Sequence, residues 1–333
     1  GTPRKLRLVP SGRLRGLVET HRLLGQRLAQ QLIQRGELRQ QSITQLTLID
    51  QVEAPSPSAG TITVVSRAVD ITQPHALDEV LDQRPDVIYH LAAVVSSAAE
   101  ADLELGMRVN FDATRSLLEG CRARGMHDTR FIMASSVAAY GGALPDVLDD
   151  MTALHPQNSY GAQKAMCELL INDYSRRGEI DGLVLRLPTI VIRPGRPNAA
   201  ASSFASSILR EPLHGEEAIC PVPTTLEMFV MSPGKVVDAL EHGAQVPREA
   251  LAPFRAFMLP GITVSVAAML EALRTAAGEQ ALALVKHAPD PRIEAIVASW
   301  PARFETAKAS QLGFVGDDDF TQIIDSFMAE QHP

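Results

Sequence analysis

Between residues 46 and 191 short, almost unbroken apolar runs alternate with longer stretches of helical periodicity. The runs are LTLID (46–50), TITVVSRAV (61–69), DVIYHLAA (86–93), RFIMASS (130–136) and GLVLRLPTIV (182–191). A half-exposed strand would alternate apolar and polar positions. Continuous valine, isoleucine and leucine instead mark strands covered on both faces, as in a parallel sheet. The segment 26–35 places Leu28, Ala29, Leu32 and Ile33 on one helical face and stops at Gly36, a good C-terminal cap. Longer helices are predicted over 103–124 and 159–177. This alternation predicts an α/β fold built on a doubly wound parallel sheet. The stretch RLRGL (13–17) does not read as the buried first strand of such a sheet.

Beyond residue 195 the rhythm changes. Prolines cluster at Pro194, Pro197, Pro212, Pro221 and Pro223. Short strands are predicted at 217–221, 227–231 and 254–258, and helices at 233–244, 264–276, 291–299 and 317–330. The pattern predicts two interleaved parts: a domain over 1–195, atypical in its first 24 residues, and a smaller C-terminal α+β lobe over 196–333. Trp300, beside Pro301, reads as a core or interface residue.

Composition narrows the function classes. A chain of 333 residues, 45% hydrophobic, can build real cores. A net charge of −8 without a long basic run argues against a nucleic-acid partner. Arg4, Lys5, Arg7, Arg13 and Arg15 form a small basic arm, read as a solvated terminus. No apolar run reaches the ~18 residues of a membrane span and no signal-peptide pattern is present, so the expectation is cytoplasmic, with no membrane partner. Cys121, Cys167 and Cys220 lie in apolar segments and read as small buried side chains. The nine histidines lack paired metal-ligand spacing, so no metal is expected.

The segment NSYGAQKAMCELL carries the sharpest chemistry. Tyr160 and Lys164 are four apart on a predicted helix and share a face. An ammonium beside a phenol favours the phenolate, which makes a tyrosine usable as a base for an alcohol proton. Alone, the same spacing also describes an exposed helix pair. About two dozen residues upstream, the run FIMASS ends in Ser135 and Ser136, and the Ser136 hydroxyl can donate or accept at a carbinol oxygen. Asp50 ends its strand 25 residues beyond Gly25, near the usual ~20-residue spacing to a ribose-binding acid. A carboxylate there accepts from a 2′-hydroxyl and repels a 2′-phosphate, favouring NAD over NADP. It also reads simply as an acid that ends a strand.

Five motifs agree in order and spacing: HLAA (90–93), VNFDAT (109–114), SSVAAYG (135–141), YGAQK (160–164) and LRLPTI (185–190). Through them the chain resembles the extended short-chain dehydrogenase/reductases, the group of nucleotide-sugar epimerases and dehydratases, over roughly residues 25–330. The resemblance implies a Rossmann-type fold and NAD as cofactor. It implies Tyr160 as general base or acid, Lys164 holding the nicotinamide ribose and Ser136 orienting the substrate oxygen. Leu187 and Thr189 would flank the nicotinamide, and Asp70 and Ile71 would lie near the adenine. Gly25, Leu91, Ala92, Ala93 and Asn110 complete the implied cofactor contacts. A homodimer through the two long helices is implied as well.

The Arg-Asp-aromatic run of nucleotide-sugar enzymes is absent; the corresponding stretch is LEMFVMSPGKVVDAL. The segments RLPTIVIRPGRPNAAASSFASSILREPL and SYGAQKAMCELLINDYSRRG instead resemble the D-erythronate dehydrogenases. That branch implies a small sugar-acid substrate. Arg193 offers a bidentate cation for its carboxylate, and Ser96 and Asn198 offer hydrogen bonds. Arg193 also reads as a structural arginine at a strand end, and Ser96 as a helix cap. A nucleotide-sugar epimerase and a non-catalytic NAD-binding sensor remain the alternatives. The sensor is motivated by the phosphate loop, where family members carry Thr-Gly-x-x-Gly. Glu19 and Arg22 stand at the two glycine positions, where side chains block close backbone approach to pyrophosphate. From Gly25 onward the match resumes without a gap, as it would if the preceding residues were out of register with the rest, for instance after a shift of reading frame.

Overall fold

The structure is a computed structural model that describes residues 13–19, 23–53, 60–195 and 200–331. Its main sheet is parallel but for one hairpin strand. From one edge to the other run β4 (Thr63–Ala68), β3 (Gln41–Asp50), β1 (Arg13–Glu19), β5 (Val87–His90), β6 (Arg130–Ser136), β7 (Asp181–Leu187) and β11 (Ala256–Met258). The two-residue β2 (Glu37–Leu38) pairs antiparallel with the start of β3. β5 and β7 are buried at every position and β6 at all but Ser136, as their unbroken apolar runs predict.

Helices cover both faces. On one, α1 (Leu24–Arg35) places Leu28, Ala29 and Leu32 against Val236, Val237, Leu240 and Ala244 of α8 (Pro233–Gln245). On the other lie α2 (Asp78–Leu81), α5 (Ala113–Ala123) and α6 (Ser159–Arg176), whose Leu117, Leu118, Cys121, Cys167 and Ile171 meet Ile88, Phe131 and Val184. Each fully buried aliphatic side chain there contributes about 1.5–3 kcal/mol. At the amino ends of β6 and β7, the Asp181 carboxylate accepts from Arg130 Nε and Nη2 at 2.9 and 2.7 Å and from Arg255 Nη1 at 2.8 Å, so three sequence-distant segments are tied together out of water.

The second lobe has a three-stranded sheet, β8 (Thr189–Ile190), β10 (Glu227–Met231) and β12 (Ile262–Ser265), and a two-stranded pair, β9 (Ala218–Cys220) with β13 (Val285–His287). Around them pack α7 (Ser203–Leu213), α9 (Val266–Leu282), α10 (Pro291–Ala298) and α12 (Phe320–Gln331). Among the described residues lie also the short helices α3 (Ser96–Ala101), α4 (Leu103–Gly106) and α11 (Ala307–Gln311).

Several expectations are corrected. RLRGL does enter the sheet: β1 lies between β3 and β5, with a register shift at Leu14/Arg15. Its flanking strands present open ladders, and backbone donors and acceptors fill that slot whatever side chains accompany them. The apolar run 182–191 is two strands in two sheets, divided at Pro188, whose missing N–H interrupts a ladder. The strand at 254–258 and the helix at 233–244 serve the main sheet rather than the smaller lobe. The single helix expected over 103–124 is α4, a wider π turn (Met107–Asp112), then α5.

Candidate active site

The carboxyl ends of β5, β6 and β7 and the entry to β8 surround a cavity of about 130 Å³. Ser96, Ser136, Tyr160, Leu187, Thr189 and Arg193 all line it, and Ser202 and Trp300 complete its wall from the second lobe. Six positions singled out in the sequence thus converge on one space. Asn198 lies outside the described residues, as do Thr20, His21 and Arg22 of the phosphate loop.

Tyr160 is held by how α6 begins. Asn158 Oδ1 accepts from the Gly161 amide at 2.7 Å, an N-cap, and the Ser159 amide donates to Glu100 Oε2 at 2.8 Å. A Cβ on Gly161 would stand 2.0 Å from the Ala138 carbonyl oxygen, so only glycine lets α6 approach the turn after β6. Ser136 starts that turn, its Oγ accepting from the Ala138 amide at 3.1 Å. One turn along α6, Lys164 Nζ is 5.7 Å from the centre of the Tyr160 ring. Lys164 is 2% exposed, yet its ammonium has no hydrogen bond or ion pair among the described residues.

A buried network fixes these parts and was not singled out in the sequence. Glu168, four residues past Lys164, accepts from Ser135 Oγ and from Arg186 Nε and Nη2 at 3.0 and 2.7 Å. Arg186 Nη1 donates to the Tyr140 hydroxyl. The signal was present: Glu168 continues the Tyr160–Lys164 face, and Arg186 sits inside LRLPTI.

Asn110 stands behind the site. Its Oδ1 accepts from the Val94 amide at 2.8 Å, and its Nδ2 donates to the Val94 carbonyl at 3.1 Å and to Gln163 Oε1 at 2.7 Å. The π turn leaves the Asn110 carbonyl to accept from Thr114 Oγ1 and Cys167 Sγ at 2.8 and 3.1 Å. Asn110 therefore shapes the irregular segment after β5 that holds Leu91, Ala92 and Ala93. Burial pushes the Cys121 thiol up to about 12 and raises that of Cys167, so both stay protonated packing groups.

Ser96 opens α3 without capping it: the cap position is Val95, and the Ser96 side chain makes no cap hydrogen bond. Arg193 is half-buried, its amide tied to Ser206 Oγ at 3.0 Å and its carbonyl to Arg210 Nη1. Its Nη2 is buried without a partner among the described residues. Burial, then the like charge of Arg210, pushes its pKa down, so the cation here is short of a counter-charge.

The residues expected to hold a dinucleotide lie along the same carboxyl edge. Asp50 ends β3, its Oδ1 accepting from the Gln51 amide at 2.7 Å. Asp70 follows β4; the Thr72 and Gln73 side chains, then the Thr72 amide, hold its carboxyl below the usual range. Ile71 packs onto the core beneath. Gly25 is buried in the first turn of α1, which has neither a side-chain cap nor an acid. These groups fit NAD on one observation above all: the Lys164 side chain is buried beside Tyr160 with no hydrogen bond to its ammonium among the described residues, and a ribose diol offers acceptors there.

The family model for the NAD dependent epimerase/dehydratase family matches residues 20–229. The D-erythronate dehydrogenases of Cupriavidus necator and Haemophilus influenzae are each 48% identical to this chain, over 92% of it and 95% of their own lengths. The crystal structure of a nucleoside-diphosphate-sugar epimerase from Agrobacterium tumefaciens superposes with a TM-score of 0.91 at 40% identity, covering 99% of this chain and 97% of that one.

Proposed function

The chain belongs to the NAD dependent epimerase/dehydratase family, and from that premise we propose that it oxidises D-erythronate at C2 to the 2-keto acid with NAD. The observation that carries this reading is Arg193: a guanidinium short of counter-charge, with an unpartnered Nη2, in the same small cavity as Tyr160 and Ser136. A carboxylate one carbon from the reacting alcohol supplies the missing acceptor.

Bound nicotinamide supplies the acceptor for hydride from the carbinol carbon. The chain's own groups do the rest. Tyr160 takes the hydroxyl proton as the carbon–oxygen bond becomes a carbonyl, Ser136 hydrogen-bonds the same oxygen, and Lys164 donates to the ribose diol and favours charge on the phenol oxygen. Arg193 fixes the carboxylate, and Ser96 faces the same space as a further hydrogen-bonding group. Asp50 favours NAD over NADP.

A nucleotide-sugar epimerase is less well supported, because the Arg-Asp-aromatic run of those enzymes is absent and the two D-erythronate dehydrogenases are 48% identical over most of the chain. A non-catalytic sensor would have no chemical need for Tyr160, Ser136 and Lys164 together. The test is NAD reduction by the purified protein over a panel of four- to six-carbon aldonates and uronates. D-erythronate is expected to be turned over, and Tyr160→Phe to abolish this while NAD still binds. Turnover of a UDP-sugar with none on any sugar acid would defeat the proposal.

A further inference from the structure

We propose that the indole N–H of Trp300 is a second donor, beside Arg193, to the carboxylate of the bound acid. This rests on the reading of the cavity as a sugar-acid site and adds a residue from the second lobe to it. Trp300 lines that cavity, and its Nε1 is buried with no hydrogen-bond partner among the described residues. An indole N–H can only donate, and a buried donor without an acceptor is costly. Trp300 and Arg193 both line this cavity, and each carries a buried donor, Nε1 and Nη2, that finds no acceptor among the described residues; an oxygen-rich, acceptor-only group would satisfy both. A carboxylate is that group.

The segment that carries the indole is tied down on both sides. Its amide donates to the Val297 carbonyl at 3.2 Å, closing α10. Thr263 Oγ1 donates to the Ala302 carbonyl at 2.6 Å, and Arg303 binds Glu227 through Nε and Nη2 at 3.0 and 2.9 Å. Phe304 bridges to Leu148 and stacks near Tyr140 and Phe229, with ring centres 5.4 and 4.7 Å away. A segment tied down this way needs little ordering of its backbone when the ligand arrives, which favours tight and selective binding.

Trp300 is the single tryptophan of the chain, so tryptophan emission reports on this one site. Two measurements test the proposal. In the NAD-loaded Tyr160→Phe variant, which forms no product, D-erythronate is expected to produce a saturable change in emission. In Trp300→Phe, which keeps the apolar bulk but loses the donor, the KM for the acid is expected to rise about tenfold, with a smaller fall in kcat and an unchanged KM for NAD. An acid that is turned over without altering the emission, or whose KM moves less than about twofold in Trp300→Phe, overturns the proposal. If Trp300→Phe does not fold, the emission titration decides alone. If no sugar acid is turned over, the functional reading itself fails, and the role of Trp300 falls with it.

Discussion

Replacing Gly161 by alanine tests whether close packing at the start of α6 sets the catalytic geometry. The added Cβ would lie 2.0 Å from the Ala138 carbonyl oxygen, 2.8 Å from its carbon and 3.0 Å from Pro156 Cβ, so most of the obstruction is backbone that no rotamer change can clear. Real Cβ contacts stop near 3.0 Å, so α6 and the turn after β6 must part by about 1 Å. Those two elements carry Tyr160 and Ser136. Overpacking of this kind costs about 1–3 kcal/mol of stability, and a 1 Å misplacement of reacting groups can cost on the order of 100-fold in rate. The expected outcome is a folded protein with a modestly lower melting temperature and kcat/KM for the acid reduced about 100-fold, with weaker NAD binding as well, since Lys164 moves with α6. Initial rates of NADH formation and a thermal melt check both. A folded Gly161→Ala variant with kcat/KM within about threefold of the parent would refute the reasoning, since tight approach would then be incidental.

Other predictions concern the cofactor, the core and assembly. Asp50→Ser is expected to raise the KM for NAD and lower that for NADP, because a repelling carboxylate is replaced by a neutral hydroxyl; steady-state kinetics with both cofactors measures the ratio. Asp181→Ala leaves the buried Arg130 and Arg255 without their shared anion, and is expected to cost about 3–5 kcal/mol, seen as a lower urea midpoint. Leu169 is 71% exposed and three residues from the part-exposed Met166 on α6, a face suited to a second copy of the chain; Leu169→Lys is expected to shift a dimer toward monomer in light scattering, and a wild-type monomer would contradict this.

The strands buried on both faces were the most legible part of the fold, because continuous apolar runs leave few alternatives. RFIMASS matches β6 residue for residue. The partition between lobes was less legible. Nothing local in 182–191 says that Leu187 and Thr189 join different sheets, and nothing in 254–258 says that β11 returns to the main one. Such choices are made by which ladder has an open edge, a property of the assembled sheet. At the site, the spacing of Tyr160 and Lys164 and the hydroxyl of Ser136 were readable because one helix and one strand end place them. Glu168 and Arg186 were passed over since their value lies in a pairing across 18 residues that only packing shows. Trp300 reads as a core or interface residue for a similar reason, since the cavity it lines is also walled by β8, α6 and the segment after β5.

The π turn at Met107–Asp112 has a consequence for how this sequence can change. Each residue of an ordinary helix advances it by about 100° and 1.5 Å. Excising one residue from the turn would rotate everything upstream by that amount relative to α5, and Asn110 would lose its two bonds to Val94. A substitution at Phe111 or Asp112 changes only local contacts; a deletion there unseats the segment that carries Leu91 to Val95. The number of residues in this turn, more than their identity, is what seats Leu91 to Val95.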